Sequence, residues 1–395
     1  MSNDSTGDCL DLNTELWAYR GDLTTLPITQ AIFAALYTVI IICGIVGNSC
    51  VILAISRNKS LQTVPNLFIL SLSCSDVLVC CVSATITPIT AFNKEWLFGA
   101  HLCRVAPWMA GITLVFSTFT LTAISVDRYM LIRHPMKKPM TKNQALMVIG
   151  GIASFAAFIS LPTMLKQRLG PFEGFCGQYC TEIWTVMDDE GAGERERKVY
   201  SAVLLIVQFV IPLTVIILSY TAISLRIGQS MILKSTQKNG SDCNWEANLT
   251  DQQRMALKRR QRTNRMLIAM VVAFSASWFW SMAYNVLRDY DYLPAPMRQQ
   301  EYLFGIGTHC IAMTSTIWNP VLYAMLNLQL RQAFIRLLPE RLRGRFSTEG
   351  DMEKTCPLIT NNNGNHASHL DHRSGSTRLK NSHWECPPQR TGDPL

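Results

Sequence analysis

The sequence predicts an all-α membrane protein: a bundle of seven transmembrane helices followed by a short amphipathic eighth helix. Charged residues make up only 16% of the chain and hydrophobic residues 48%, whereas a soluble domain carries about 25% charged residues. The apolar residues gather into runs of spanning length, roughly 20 residues each, over 30–56, 65–91, 101–132, 143–165, 199–226, 263–288 and 301–326. Lipid admits only helices and closed barrels, because every backbone polar group must be satisfied internally. Runs this long without two-residue alternation exclude the barrel.

The elements follow in order. Residues 1–29 carry Asp4, Asp8, Asp11, Glu15 and Asp22 and no apolar core. They read as an extracellular tail rather than a secretory signal, and the first span is expected to act as the insertion signal. Small residues such as Gly47 and Ser49 in the first span, and Ser71 and Ser73 in the second, let helices approach closely. Basic residues set the direction of threading. Arg57 and Lys59 follow the first span, Arg133, Lys137, Lys138 and Lys142 follow the third, and Lys258, Arg259, Arg260, Arg262 and Arg265 precede or open the sixth. The opposite side is mixed or acidic, with Glu173, Glu182, Asp188, Asp189, Glu190, Glu194 and Glu196 after the fourth span. The N-terminus is therefore expected outside and the C-terminus inside. The net charge of +8 reads as topology and attraction to anionic lipid, and no nucleic-acid-binding domain accompanies it.

After the bundle (30–326), Leu330, Phe334, Leu337 and Leu338 recur at helical spacing among Arg331 and Arg336. This predicts an amphipathic membrane-surface helix over 327–340. Residues 341–395 are polar and predict a disordered cytoplasmic tail.

The 13 cysteines divide by compartment. Cys43, Cys50, Cys74, Cys80, Cys81 and Cys310 lie in spans and read as packing residues, while Cys243, Cys356 and Cys386 fall on the reducing side. Cys9, Cys103, Cys176 and Cys180 lie outside. A Cys103–Cys180 bridge would pin the long outer loop over the bundle. Cys176 is the rival partner, and Cys9 would pair with whichever is left; four cysteines allow three connectivities. Asn3-Asp4-Ser5 is an outer glycan acceptor, whereas the Asn239 and Asn248 sequons fall on the inner side.

Polar residues inside the spans are the functional candidates. Asp76 lies in the middle of the second span. Ser117, Ser315 and Asn319 supply oxygen donors at similar depth, a candidate sodium site. The alternative is a hydrogen-bonded knot that fixes helix packing. Asp127-Arg128-Tyr129 ends the third span, where neighbouring Asp and Arg pair until a partner protein competes for the Arg. On the sixth span Trp278, Met282, Asn285 and Asp289 fall at steps of four, three and four, one stripe with Asp289 at the rim. Tyr302, Ile306 and His309 form a similar stripe on the seventh.

Gly47-Asn48, the Asp76 segment, Cys103, Asp127-Arg128-Tyr129, Pro212 with Tyr220, Phe274 with Trp278, and Asn319-Pro320-Val321-Leu322-Tyr323 together resemble the rhodopsin-like (class A) G-protein-coupled receptors over about residues 30–340. Glu95-Trp96-Leu97-Phe98-Gly99, Cys180-Thr181-Glu182-Ile183-Trp184, Gln208-Phe209-Val210-Ile211-Pro212-Leu213, Arg262-Thr263-Asn264-Arg265-Met266-Leu267 and the segment His309 to Thr316 are similar to the neuropeptide Y / neuropeptide F branch. The resemblance implies a receptor for C-terminally amidated peptides ending in Arg-Phe or Arg-Tyr. It further implies a heterotrimeric G protein as partner, with the inhibitory class favoured, at the plasma membrane. The peptide's Arg would meet Asp289, since a guanidinium binds a carboxylate bidentately. Its amidated end would go deeper, near Asn285, Gln208, His309 and Trp278. Arg128, Tyr129, Tyr220, Asn319, Pro320 and Tyr323 would form or brace the coupling face.

Other classes lose their chemical handle. The helix 3 position at which amine receptors carry an Asp is Ala110, and residues 301–326 contain no Lys for a retinal Schiff base. A receptor for another peptide or a non-peptide ligand is the nearer alternative. A transporter is more distant, as the spans show no internal repeat. No nucleotide loop or nucleophile–base pair suggests an enzyme, and no cofactor is expected beyond the sodium ion.

The chain departs from the family pattern in the sixth span, which reads Ser277-Trp278-Phe279-Trp280 with no Pro, and in the fourth, where residues 143–162 lack Trp. The family's kink there comes partly from that Pro, so its absence removes the ordinary swing of the sixth span or requires another bend near Ser275 and Ser277, and Trp280 is expected to face lipid or a neighbouring helix. Because the inner end of that span is basic, Arg128 has no acidic partner there, which predicts appreciable basal activity.

Overall fold

The structure is a computed structural model that describes residues 9–134, 138–184, 190–236 and 251–337. Asn3, Cys243, Cys356, Cys386, the two inner sequons, Leu338 and the predicted tail lie outside these residues. Among the described residues, six helical stretches are long and apolar enough to cross a bilayer: Pro27–Arg57, Val64–Asn93, Gly99–Arg133, Lys142–Lys166, Ala192–Ile223 and Asn264–Asp289. The seventh span is two helices, Glu301–Met313 and Ser315–Leu326, broken at Thr314. At 1.5 Å per residue each reaches only about 20 Å, and a crossing needs both.

Lipid-facing and bundle-facing sides separate cleanly on the first span. Ile28, Ile32, Leu36, Val39, Ile42 and Val46 are exposed, at steps of three and four that make one outward stripe. Tyr37, Ile40, Gly44, Asn48, Val51 and Ala54 are buried on the other face. The inner half of the bundle packs Phe68, Leu72, Leu121, Ile124, Ile216, Ile223, Met270, Phe274 and Tyr323 into one cluster. A short helix, Leu328–Leu337, closes it by burying Leu330 and packing Phe334 and Leu337 against it.

Helical irregularities follow proline. Pro320 has no N–H, so the carbonyl of Thr316, four residues earlier, loses its helical donor. Asn48 Nδ2 takes that carbonyl at 2.8 Å and also donates to Gly44 at 2.9 Å. Pro212 follows a π-turn over Ile206–Val210 in the fifth span, and that turn holds Gln208. The second span is interrupted at Val82, six residues before Pro88. The sixth span belongs to one continuous helix, Asp251–Asp289, and so does the third, Gly99–Arg133, although Pro107 lies inside it. Trp280 is half exposed on the outside of the sixth span, edge-on to Phe279.

Close helix contact rests on glycine. A β-carbon at Gly47 would stand 2.8 Å from Pro320 Cγ, and one at Gly44 2.6 Å from Cys80 Sγ. The Pro320 ring is closed onto its own backbone and cannot yield without moving the helix. Gly47→Leu is therefore expected to lower stability by about 1–3 kcal/mol, as overpacked cores do, read as a reduced melting temperature of purified receptor. Gly150→Leu, where a β-carbon meets nothing within 4 Å, is the control and leaves the melting temperature unchanged.

Candidate functional site

At the outer end, the loop after the fourth span folds into an antiparallel hairpin, β1 (Gln167–Gly170) and β2 (Tyr179–Glu182), with Leu169 opposite Cys180. Cys180 is bonded to Cys103 at the top of the third span, and Cys176 to Cys9. The second bridge draws the N-terminal segment over the bundle, where Leu10 pairs with Phe175. Residues Leu12–Arg20 then form a helix: Asp11 caps it by accepting from the amides of Asn13 and Thr14, and Gly21 ends it in the left-handed conformation at φ +59°. Sequence reading placed only a tail here, because the helix is short and depends on tertiary ties.

Three further ties hold that segment down. Asn13 Nδ2 donates to the carbonyls of Phe92 and Asn93, and Gln300 bonds to both Gly21 and Leu23. Asp22 pairs with Lys94 at 3.3 Å, and both side chains are almost fully buried. Lys94 also donates to Thr24 and lies 3.6 Å from the centre of the Tyr302 ring. Burial lowers the Lys94 pKa, and the Asp22 carboxylate opposes that shift. Breaking such a pair leaves an uncompensated buried charge, so the pair fixes the N-terminal roof.

Beneath the roof is a cavity of about 730 Å³. Its walls are the second and third spans, the hairpin loop, Leu12 of the roof and Tyr302. The five expected ligand residues lie elsewhere. Asp289 is buried between the outer ends of the fifth and sixth spans, accepting from the Ser201 hydroxyl at 2.7 Å, with the largely exposed Arg288 at 3.7 Å. Asn285 is exposed. Gln208 is buried in the π-turn. His309 turns toward the first span, with Nδ1 2.7 Å from the Tyr37 hydroxyl. Trp278 lies deeper, donating from Nε1 to Ser315 at 3.2 Å. Ser201 and Tyr37 carried no sequence signal, since each is one hydroxyl in an otherwise ordinary run.

The polar centre is compact. Asn319 Nδ2 donates to Asp76 Oδ2 at 2.8 Å, and Ser75 and Ser117 share a hydrogen bond at 3.3 Å. Ser277 meets Thr314 at 3.2 Å beside the Trp278–Ser315 bond. The sixth span is thus fastened to the seventh where the seventh is broken. Asp76, Ser117, Ser315 and Asn319 are all buried.

At the inner end Arg128 pairs with Asp127 at 2.8 Å. The Ser125 hydroxyl donates to that of Tyr220 at 3.5 Å, Tyr323 is fully buried, and Tyr129 packs on the inner cluster. Among the described residues no acidic side chain of the sixth span reaches Arg128. A different bond restrains that span: Arg262 Nη2 donates to the Met325 carbonyl at 3.0 Å, at the end of the seventh span where carbonyls lack helical partners.

Residues 47–323 match the 7 transmembrane receptor (rhodopsin family). The chain belongs to the rhodopsin family of seven-transmembrane receptors. It is 32% identical over 337 residues to neuropeptide receptor npr-1 of Caenorhabditis elegans, covering 77% of this chain and 72% of that one. It is 29% identical over 317 residues to neuropeptide receptor 3 of the same organism, covering 78% of each. It is 32% identical over 317 residues to the human neuropeptide Y receptor type 2, covering 80% of this chain and 78% of that one. This rhodopsin-family receptor falls in the neuropeptide Y / neuropeptide F-like branch, as its motifs implied. It is a multi-pass membrane protein and a receptor, not an enzyme.

The Arg262 bond generates a prediction for this receptor. A cation at a helix C-terminus contributes about 0.3–1 kcal/mol. Arg262→Ala is expected to raise basal G-protein activation about two- to fivefold in a cell-based transducer assay, and Arg262→Lys to keep most of the restraint. Unchanged basal activity in the alanine variant, at equal surface expression, would show that the Met325 contact does not hold the inactive arrangement.

Proposed function

We propose that this receptor is activated by C-terminally amidated neuropeptides of the Arg-Phe or Arg-Tyr type, and that it engages a G protein of the inhibitory class. The observation that carries the ligand reading is Asp289. One carboxylate oxygen accepts from Ser201, and the nearest cation among the described residues is Arg288 at 3.7 Å. Ser201 orients the carboxylate, and a peptide guanidinium replaces the loose Arg288 contact with a charge-assisted bond. The relatives named as neuropeptide and neuropeptide Y receptors support the peptide class. The amidated end lies deeper, toward Asn285 and Gln208, with Trp278 below. His309, bonded to Tyr37, acts through the first span. Arg128, Tyr129, Tyr220, Asn319, Pro320 and Tyr323 serve the coupling face. The receptor sits in the plasma membrane with its N-terminus outside, and Asn3 carries glycan.

Binding shifts a pre-existing equilibrium toward an arrangement open at the inner end, and G-protein binding tightens peptide binding by the same factor. The test is G-protein activation by amidated peptides beside their free acids. A hydrogen bond to a charged group contributes about 1.5–3 kcal/mol, so Asp289→Ala is expected to cut potency roughly 10- to 100-fold. Ser201→Ala, which loses a neutral donor, is expected to cut it only about 3- to 10-fold. Full potency in Asp289→Ala would discard the guanidinium contact, and indifference to the amide would move the ligand to another peptide family.

A sodium ion at Asp76 fits the donor chemistry, since one carboxylate and the hydroxyls of Ser117 and Ser315 are hard oxygen ligands suited to a hard cation. Asn319 would hold the carboxylate in place through its 2.8 Å bond. Replacing sodium with an equal concentration of a large organic cation is expected to raise agonist affinity in the unsubstituted receptor. The same exchange should have no effect in Asp76→Asn.

A further inference from the structure

The N-terminal helix, Leu12–Arg20, buries none of its residues, so packing contributes little to keeping it folded. Nine residues are also too few for a helix to stand alone in water. It is held from its two ends. Beyond its C-terminus, Asp22 pairs with Lys94, and Gln300 bonds to Gly21 and Leu23. Before its N-terminus, Leu10 donates to the Gly174 carbonyl at 2.9 Å and accepts from the Cys176 amide at 3.0 Å. The Cys9–Cys176 bridge lies beside those two bonds and supplies the covalent tie at that end. Between the ends, Asn13 Nδ2 reaches the carbonyls of Phe92 and Asn93 only at 3.4 Å.

The two outer bridges lie in unlike surroundings. Cys103 is fully buried in an apolar cluster with Trp96 and Ala106, against which Phe98, Leu169 and Cys180 pack. Cys9 is exposed and Cys176 half-buried, and neither joins an apolar cluster among the described residues. Exchange begins with attack of a thiolate on a disulfide sulfur, so access decides which bridge opens first, and exposed bridges are the labile ones. We infer that Cys9–Cys176 is a redox-sensitive fastening of the N-terminal roof, opened by an extracellular dithiol while Cys103–Cys180 stays closed. One thiolate of the dithiol attacks Cys9 Sγ, the Cys9–Cys176 bond breaks, and Cys176 leaves as a thiolate. The second sulfur of the dithiol then displaces Cys9. The dithiol is oxidised to a cyclic disulfide, the two cysteines are reduced to thiols, and the dithiol's two protons end on them. The N-terminal end of the helix is then left with backbone bonds that compete with water and contribute little net stability each. The ion pair remains, so the helix frays and lifts from the hairpin while the chain stays hinged at Asp22. Leu12 lines the cavity below, and lifting it opens that cavity to the outside.

The test uses the purified full-length receptor in lipid nanodiscs, titrated with dithiothreitol. Free thiols are alkylated and located by mass spectrometry, and amide hydrogen exchange is followed on the same samples. Cys9 and Cys176 are expected to be alkylated at a dithiothreitol concentration about tenfold or more below that needed for Cys103 and Cys180. At that concentration the amides of the Leu12–Arg20 helix should exchange about tenfold or more faster. The amides of Thr25 and Leu26, which donate to Asp22 and Leu23, should keep their protection. Cys9→Ser combined with Cys176→Ser should show the fast helix exchange without reductant, and unchanged exchange in the spans confirms that this variant is folded. A bridge that resists dithiothreitol, or Cys103–Cys180 opening with it or before it, would overturn the selective fastening. Helix protection that survives reduction, or survives in the double variant, would overturn it too. Loss of protection at Thr25 and Leu26 would overturn the hinge at Asp22.

Discussion

The bond from Asn48 Nδ2 to the Thr316 carbonyl supports much of what lies around it. In a bilayer no water compensates a carbonyl stripped of its donor by proline, so a side chain of a neighbouring helix must do so. Asn48 is fully buried and supplies that donor from the first span, and Gly44 and Gly47 bring the backbone close enough for it to reach. The break at Thr314 lies just outward of this joint, and it puts Thr314 and Ser315 within reach of Ser277 and Trp278. Three residue runs that are unremarkable separately thus depend on one another: glycines in the first span, proline in the seventh and a serine–tryptophan pair in the sixth.

The outer face obeys a different constraint. Water is available there, so short segments need tertiary ties to hold a shape. The N-terminal helix of nine residues is far below the length at which an isolated helix is stable in water. It persists because a disulfide, a buried ion pair and amide bonds to the second and seventh spans fix its ends. Lys94 is central to that arrangement even though it adopts a positive φ of 61°, a conformation unfavourable for a residue with a long side chain. Its ammonium is held by Asp22, Thr24 and Tyr302 together, which offsets the local cost.

Legibility in the sequence tracked the range of the interaction. The spans were readable because hydropathy over twenty residues is a summed signal. The broken seventh span was less readable, since a Pro marks a kink but Thr314 does not announce where the helix opens. Asp76, Asp127 and Arg128 were legible because charge inside a membrane is costly enough to need a reason. Arg128's partner Asp127 is its chain neighbour, and Asp76's partner Asn319 already stood among the oxygen donors expected at its depth. Ser201, Tyr37 and Met325 were not, because a hydroxyl or a backbone carbonyl has no signature until the fold brings it to a partner.

The sixth span combines these constraints. Its helix runs unbroken over Asp251–Asp289 and carries bonds at three levels: Asp289 to Ser201 outside, Trp278 to Ser315 in the middle, and Arg262 to Met325 inside. At 1.5 Å per residue the outer bond is about 16 Å from the middle one and the inner bond about 24 Å. A kinked helix bends at its proline and moves its two halves partly independently. A continuous helix held at its middle moves as a lever, so a displacement at the Asp289 end reappears at the Arg262 end, reversed and enlarged about one and a half times. Losing the proline therefore need not uncouple the mouth from the coupling face. It shifts the compliance from the helix itself to the outer and inner bonds, with the middle pair, set against the break in the seventh span, as the pivot.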